Sequence, residues 1–217
     1  ELDKKINEKI IKPTMSGIKD LGTTYCGFLY IGLMIINNDP YLIEFNVRMG
    51  DPECQTILPM LETDFGKIVL ACCDKKLNNI EIKWKEKKSV CIVLCSNGYP
   101  DDYQKNIKIN GFKNVKLDKD EYLFHAGTKI ENEDYIAVGG RVLNVVTTTK
   151  DFKQSKEQAL KILNDSKKDS YIFSAMKYSH PIQRGFFIGK NFGNFCECQT
   201  PIKTSNKRYK PKIFNAI

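Results

Sequence analysis

Apolar residues recur at helical spacing over residues 2–20, at Ile6, Ile10 and Ile11 and then at Met15 and Ile18. That period predicts an amphipathic helix. Pro13 lies inside it and predicts a kink or an interruption, because proline has no N–H to give and its ring crowds the preceding turn. Gly22 suits the helix end. The period then changes. Cys26–Ile36 is an almost unbroken apolar run and reads as a buried strand, Asn37-Asn38-Asp39-Pro40 as a turn, and Tyr41–Val47 as a second strand. Together they predict a hairpin with Glu44 near its centre. Asp64 is a candidate N-cap for a helix from Phe65 to Lys76, with Val69, Leu70 and Cys73 expected in the core. Further on, Ser89–Cys95 reads as a buried strand broken by Gly98-Tyr99-Pro100, and residues 121–125 and 135–149 read as strands with Gly139-Gly140 as a turn. Asp151 then caps a helix to about Leu163, with Phe152, Leu160 and Leu163 on its apolar side. The whole is an α+β pattern. No period persists through Asn206–Lys212, so residues 174–217 are expected to be disordered.

The polar positions of the second strand carry the chemistry. Glu44, Asn46 and Arg48 stand two apart, and residues two apart on a strand share a face. A carboxylate and a carboxamide oxygen are hard ligands of the kind Mg²⁺ takes. A guanidinium grips phosphate or carboxylate. The strand breaks at Gly50-Asp51-Pro52 and delivers another carboxylate, Glu53. This set suits phosphoryl chemistry on a metal-bound nucleotide. Alternation by itself equally describes the wet face of an ordinary strand.

Longer motifs separate the two readings. Leu42–Gln55, LIEFNVRMGDPECQ, resembles the signature of the phosphoribosylamine–glycine ligases (glycinamide ribonucleotide synthetases) of the ATP-grasp superfamily. That signature runs Arg, Phe or Leu, then Gly-Asp-Pro-Glu-x-Gln; Met49 stands at the second position here. Residues 25–36, Gly98-Tyr99-Pro100 with Asp102-Tyr103, His125-Ala126-Gly127-Thr128-Lys129 and Gly139-Gly140-Arg141-Val142-Leu143 resemble further family blocks, in the family's order. The resemblance covers residues 1–173. It implies the end of an ATP-grasp domain over residues 1–80, a small mixed α/β C-terminal domain over 81–173, and an unmatched basic tail over 174–217. It also implies the reaction: ATP, glycine and 5-phosphoribosylamine give glycinamide ribonucleotide, ADP and phosphate through a glycyl phosphate, a step of purine biosynthesis. On this reading Glu44 and Asn46 hold Mg²⁺ or Mn²⁺ and with it ATP. Arg48, Asp51 and Glu53 are the catalytic candidates, and Arg48, Lys129 and Arg141 the candidates for binding substrate phosphate or carboxylate. Asp51 and Glu53 could instead orient the turn or cap a helix. Other ATP-grasp carboxylate–amine ligases share the metal strand but not the combined Gly-Asp-Pro-Glu-x-Gln and His-Ala-Gly-Thr-Lys blocks. A truncated, non-catalytic remnant with a nucleic-acid-binding tail is the rival from another class.

Composition narrows the class. The 217 residues are enough for a real core, and 41% hydrophobic content is that of a globular protein. The longest apolar run, Phe28–Ile36, is too short to span a bilayer, so no membrane is expected. The chain opens on Glu1 rather than Met, and the family carries further domains upstream; it therefore reads as a fragment, inactive alone, whose partner is the N-terminal part of the same enzyme. The eight cysteines lack zinc spacing, since Cys196-x-Cys198 has no second pair, and read as reduced, cytoplasmic thiols. Residues 174–217 hold eight of the 34 basic residues and one of the 26 acidic ones, so nearly all of the +8 net charge sits in the tail. Nucleic acid is not expected as a partner of the body. After Tyr171-Ile172-Phe173 the family continues with an Arg-Lys-Asp-Ile-Gly-like stretch, where this chain reads Ser174-Ala175-Met176-Lys177. His125, the lone histidine before the tail, reads as a hydrogen-bonded structural residue.

Overall fold

The structure, a computed structural model, describes residues 1–112, 115–166, 186–190, 193–197 and 210–216. The chain begins with one helical rod in three parts: α1 (Leu2–Ile6), a π-helical turn (Asn7–Ile11) and α2 (Lys12–Asp20). The π turn lies directly before Pro13. A widened turn accommodates a residue that cannot donate to the preceding carbonyls, so the expected interruption takes the form of a π bulge. Ile6 and Ile10 are buried, whereas Met15 is exposed, so the apolar face reaches the core only over the first half. Gly22, at φ +72°, ends the rod as expected, its N–H donating to Lys19 O over 2.9 Å.

Strands β1 (Leu29–Ile36) and β2 (Asp39–Asn46) form the hairpin. Asn37 and Asn38 both take positive φ, 50° and 61°, which matches the twist a two-residue hairpin turn requires. Leu29, Ile31 and Leu33 pack on Ile6 and Ile10. Helices α3 (Glu53–Ile57) and α4 (Phe65–Cys73) follow. Asp64 caps α4 by accepting from Lys67 N over 2.8 Å. The buried face of α4 is Ile68 and Ala71, while Leu70 is exposed. The expected Val69, Leu70 and Cys73 face is thus about one position out of phase with the observed one. Residue pattern alone does not fix the rotation of so short a helix.

Residues 88–166 carry β3 (Lys88–Cys95), β4 (Ile107–Ile109), β5 (Glu121–His125), β6 (Thr128–Glu131), β7 (Asp134–Ala137), β8 (Arg141–Thr149) and α5 (Phe152–Ser166). β3 and β5 flank β8, all antiparallel, and β4-β7-β6 form a separate small sheet. Asp151 caps α5 through Gln154 N at 2.8 Å. The core under α5 joins Val90, Ile92, Leu94, Leu143 and Val145 to Ala159, Ile162 and Leu163. Cys91, Val93 and Val146 form the core of the opposite face, with Tyr122 and Phe124 packed against it. The segment before β3 is tied down where Lys85 and Lys87 reach Asp120 over 3.1 and 2.6 Å.

Within 174–217, strands β9 (Phe186–Lys190), β10 (Gly193–Glu197) and β11 (Lys210–Ala216) pair in sequence between β3 and β1. The expectation of a tail without regular structure is corrected at these residues: the free edges of β1 and β3 offer rows of N–H and C=O groups that a short strand can satisfy without a strong pattern of its own. The eight strands then run β2-β1-β11-β10-β9-β3-β8-β5. The remainder of the tail, and with it the nucleic-acid reading, lies outside the described residues. No helix among those described is long and apolar enough to cross a membrane.

Candidate functional site

The site grows from the end of the hairpin. Register places Glu44 opposite Gly32 and Leu42 opposite Leu33, so Ile43 is a bulge in β2. Gly32 leaves room at this point: a Cβ there would stand 3.0 Å from Glu44 Cγ, a tight contact with a movable side chain. Glu44 and Asn46 share a face as expected, with Asn46 Nδ2 donating to Glu44 Oε1 over 3.1 Å. That bond leaves Asn46 Oδ1 as an acceptor beside the Glu44 carboxylate. The alignment does not extend to Arg48. β2 ends at Asn46, opposite Tyr30, and the chain then turns away from β1. Arg48 Nη1 donates to Met49 O at 2.9 Å and stays exposed.

The turn after Arg48 is closed by Cys54 N donating to Gly50 O, 2.9 Å. Asp51 and Glu53 separate here into different environments. Asp51 is half-exposed; its Oδ1 accepts from Gln55 Nε2 at 2.8 Å and its Oδ2 from Arg141 Nη2 at 3.0 Å. Glu53 opens α3 and is buried, its carboxyl lying so close over Gly50 that any side chain there would overlap it. The ring of Tyr30 borders the same space. Burial pushes the Glu53 carboxyl above the ordinary carboxylate range. The charges of Asp51 and Glu44 push the same way, against its own backbone N–H and Arg141.

The C-terminal domain reaches the site through Arg141. Its backbone is fixed by the two glycine blocks: Gly127 N donates to Arg141 O at 2.8 Å, and Val138 N and Gly139 N donate to Gly127 O at 2.8 and 3.1 Å. Ser96 binds both partners of the Gly139-Gly140 turn, Oγ to Gly139 O and N to Gly140 O, each at 2.7 Å. The Tyr99 ring occupies the space a Cβ on Gly140 would need. Beneath α3, Cys91 is fully buried and its thiol is pushed far up by burial. Cys95, beside Arg141, is pushed up to about 11 by burial, with Arg141 pulling it down.

Lys129 is not part of this assembly. It pairs with Glu131 at 3.0 Å on its own strand, β6, and both are half-exposed. His125 Nδ1 lies 3.0 Å from Thr128 Oγ1 and its ring packs on Tyr135 at 4.8 Å, the structural role expected of it. Gln55 and Tyr30 are contributors the sequence reading did not single out, and Tyr99 entered it only as part of a family block. The i, i+4 spacing of Asp51 and Gln55 was the one available signal.

Among the described residues no group of three or more His, Cys, Asp or Glu side chains is placed to hold a metal by itself. Two oxygen donors, Glu44 and Asn46, fit a divalent ion whose remaining ligands are water and phosphate, the usual manner of Mg²⁺.

A bulged hairpin presenting two oxygen ligands, a Gly-Asp-Pro-Glu turn beneath it, and a mixed α/β domain that reaches the turn with an arginine are the closing part of an ATP-grasp fold and its C-terminal domain. Comparison with known proteins makes the class specific. The model of the phosphoribosylglycinamide synthetase ATP-grasp (A) domain matches residues 1–54, and that of the phosphoribosylglycinamide synthetase C domain matches residues 89–176. The chain belongs to the phosphoribosylglycinamide synthetase family. It is 38% identical over 189 residues to the phosphoribosylamine–glycine ligase of Caldanaerobacter subterraneus, covering 85% of this chain and 43% of that one. It is 39% identical over 163 residues to the chloroplastic phosphoribosylamine–glycine ligase of Arabidopsis thaliana, covering 73% and 31%. The crystal structure of the Thermotoga maritima phosphoribosylamine–glycine ligase aligns with a TM-score of 0.60 and 30% identity, over 75% of this chain and 39% of that one. The chain thus spans about two fifths of the length of the Caldanaerobacter relative.

Proposed function

We propose that this chain provides the metal-binding strand and the C-terminal domain for the ATP-dependent ligation of glycine to 5-phosphoribosylamine. The products are glycinamide ribonucleotide, ADP and phosphate. In this scheme a glycine carboxylate oxygen attacks the γ-phosphorus and ADP leaves. The amine of phosphoribosylamine then attacks the glycyl phosphate carbonyl, phosphate leaves, and the amine gives up a proton. The observation that carries the reading is the Glu44–Asn46 pair, on one face of β2 and directly before a Gly50–Gln55 turn that follows the family signature.

Glu44 and Asn46 would hold Mg²⁺ or Mn²⁺, which neutralises phosphate oxygens of ATP when bound. Arg48, exposed and donating to Met49 O, supplies a guanidinium for a phosphate or for the carboxylate being activated. Glu53, whose carboxyl is buried over Gly50, is the carboxylate of the turn assigned to the amine substrate. Lys129, paired with Glu131 on β6, is not assigned a contact in this scheme. The relatives' remaining length would pack on β2, the outermost strand of its sheet, where Tyr41, Leu42, Ile43 and Phe45, and Val47 just beyond the strand, are all exposed. It would also fill the cavity of about 380 Å³ between Ile18, Tyr25, Phe45 and Val47. Because that length includes much of an ATP-grasp domain, this chain alone is expected to be inactive. The six described cysteines are free thiols and suit a reducing compartment such as the cytoplasm.

The test is ADP release by the complete gene product with a divalent ion, ATP, glycine and phosphoribosylamine, each omitted in turn. Release that requires all four supports the reading, and release independent of glycine refutes it. Glu44→Gln keeps the size and removes the charge. It is expected to abolish Mn²⁺ binding and to cut turnover at least tenfold, about 1.4 kcal/mol; unchanged metal dependence would sink the ligand assignment.

A further inference from the structure

We infer that Arg141 is a positioning residue: from the C-terminal domain it clamps Asp51 and so fixes the turn that carries Glu53. The inference refines the proposed function, and depends on that reading only for its catalytic consequence. Asp51 and Arg141 are candidates that would otherwise be placed against substrate.

Three observations carry it. First, each oxygen of Asp51 accepts from a different side chain, Oδ1 from Gln55 Nε2 at 2.8 Å and Oδ2 from Arg141 Nη2 at 3.0 Å. A carboxylate whose two oxygens accept from side chains on α3 and β8 is fixed in orientation and ties those two elements together. Second, Arg141 starts from a rigid place. Its carbonyl is bound by Gly127 N, and the turn before it is closed by two bonds from Ser96 and the Tyr99 ring. Gly127 and Gly139 approach so closely that a Cβ on Gly127 would stand 2.5 Å from Gly139 Cα. Third, the turn gathers like charges. Asp51 and Glu44 both act on the buried Glu53 carboxyl, and Arg141 is the cation that opposes them. The pair joins positions 90 residues apart, one in the segment matching the ATP-grasp domain and one in the segment matching the C domain. The C-terminal domain thus works as the clamp on the signature turn, which gives it a function beyond packing.

Hydrogen–deuterium exchange of the 217-residue chain tests this directly. Arg141→Met is expected to speed exchange at amides 50–57 about fivefold, the factor a half-exposed ion pair converts to, while β3 and β8 stay protected. Asp51→Asn should reproduce the effect, and the double variant should add nothing to either single one. Arg141→Lys keeps the charge and should restore most of the protection. It also covers the case in which the Met variant loses its fold. Unchanged exchange at 50–57 in the Met variant, or additive effects in the double one, overturns the clamp. In the complete gene product Arg141→Met should lower kcat with KM for ATP held, with partial rescue by Lys; unchanged kcat also overturns it. A wild-type product without ligase activity, but with the exchange pattern intact, would refute the proposed reaction and leave the clamp standing.

Discussion

Replacing Gly127 by alanine should weaken the chain far more than a methyl group on an exposed turn ordinarily does. The added Cβ would lie 2.5 Å from Gly139 Cα and 2.6 Å from Arg141 O. Ordinary carbon contacts begin near about 3.5 Å, so the overlap is close to 1 Å. Both obstacles are backbone, and no side chain can swing aside. Relief requires the 126–128 and 138–141 segments to separate, at the expense of the bonds Gly127 N to Arg141 O (2.8 Å) and Val138 N to Gly127 O (2.8 Å). Overpacking of this kind costs about 1–3 kcal/mol, and each weakened bond adds up to about 1 kcal/mol. The total is about 1–5 kcal/mol, and at roughly 2–4 °C per kcal/mol for a chain of this size it lowers Tm by about 2–20 °C. Gly17→Ala is the control. Gly17 is exposed in α2 with nothing within 4 Å of its would-be Cβ. Removing a helical glycine there should stabilise by roughly 0.5–1 kcal/mol. Urea titration of both variants against wild type reads the two signs in one assay. A Gly127→Ala variant within about 0.5 kcal/mol of wild type, the range of an ordinary surface change, would refute the argument that backbone contact at the His-Ala-Gly-Thr-Lys block sets the position of Arg141.

Three further outcomes follow from the electrostatics. Glu53 has a raised folded-state pKa, so its contribution to stability is complete below the unfolded value and is lost as pH rises through the folded one. Glu53→Gln should therefore be more stable than wild type at neutral pH, with the advantage shrinking toward acid in melts across that range; a constant difference would contradict it. Asp120 has a lowered pKa, through hydrogen bonds from Lys87 and Lys85 against the opposing effect of burial. Its contribution is present above the unfolded pKa and lost as pH falls through the folded one, so Asp120→Asn should flatten the acid limb of the stability curve, and an unaltered limb would show the lysine clasp to be inert. Alkylation of the native chain should label exposed Cys26 and Cys73 and spare Cys91 and Cys95, whose thiols burial raises. Mass mapping that finds Cys91 modified before unfolding would contradict the buried face beneath α3.

The elements that could be read from the sequence were those in which local chemistry and packing agree. The hairpin was legible because Asn37-Asn38 meets the demand for positive φ between two apolar runs, and α5 because Asp151 both caps it and precedes its apolar side. Where partners decide the outcome, the pattern was silent or misleading. The rotation of α4 depends on what Ile68 and Ala71 meet, and β9–β11 depend on the open edges of β1 and β3. The site divides along the same line. Glu44 and Asn46 could be placed on one face by the strand period, and that placement holds. Arg48 could not, because β2 ends before it, and no period reports where a strand stops pairing. Arg141 and Lys129 looked alike in sequence, each basic and beside a glycine turn. Only the fold separates them, sending one 90 residues back to Asp51 and the other to Glu131 on its own strand. A basic residue beside a glycine turn is therefore a weak sign of a phosphate site until its nearest carboxylate is known. Here that carboxylate belongs to the signature turn, which makes the C-terminal domain part of the site's support.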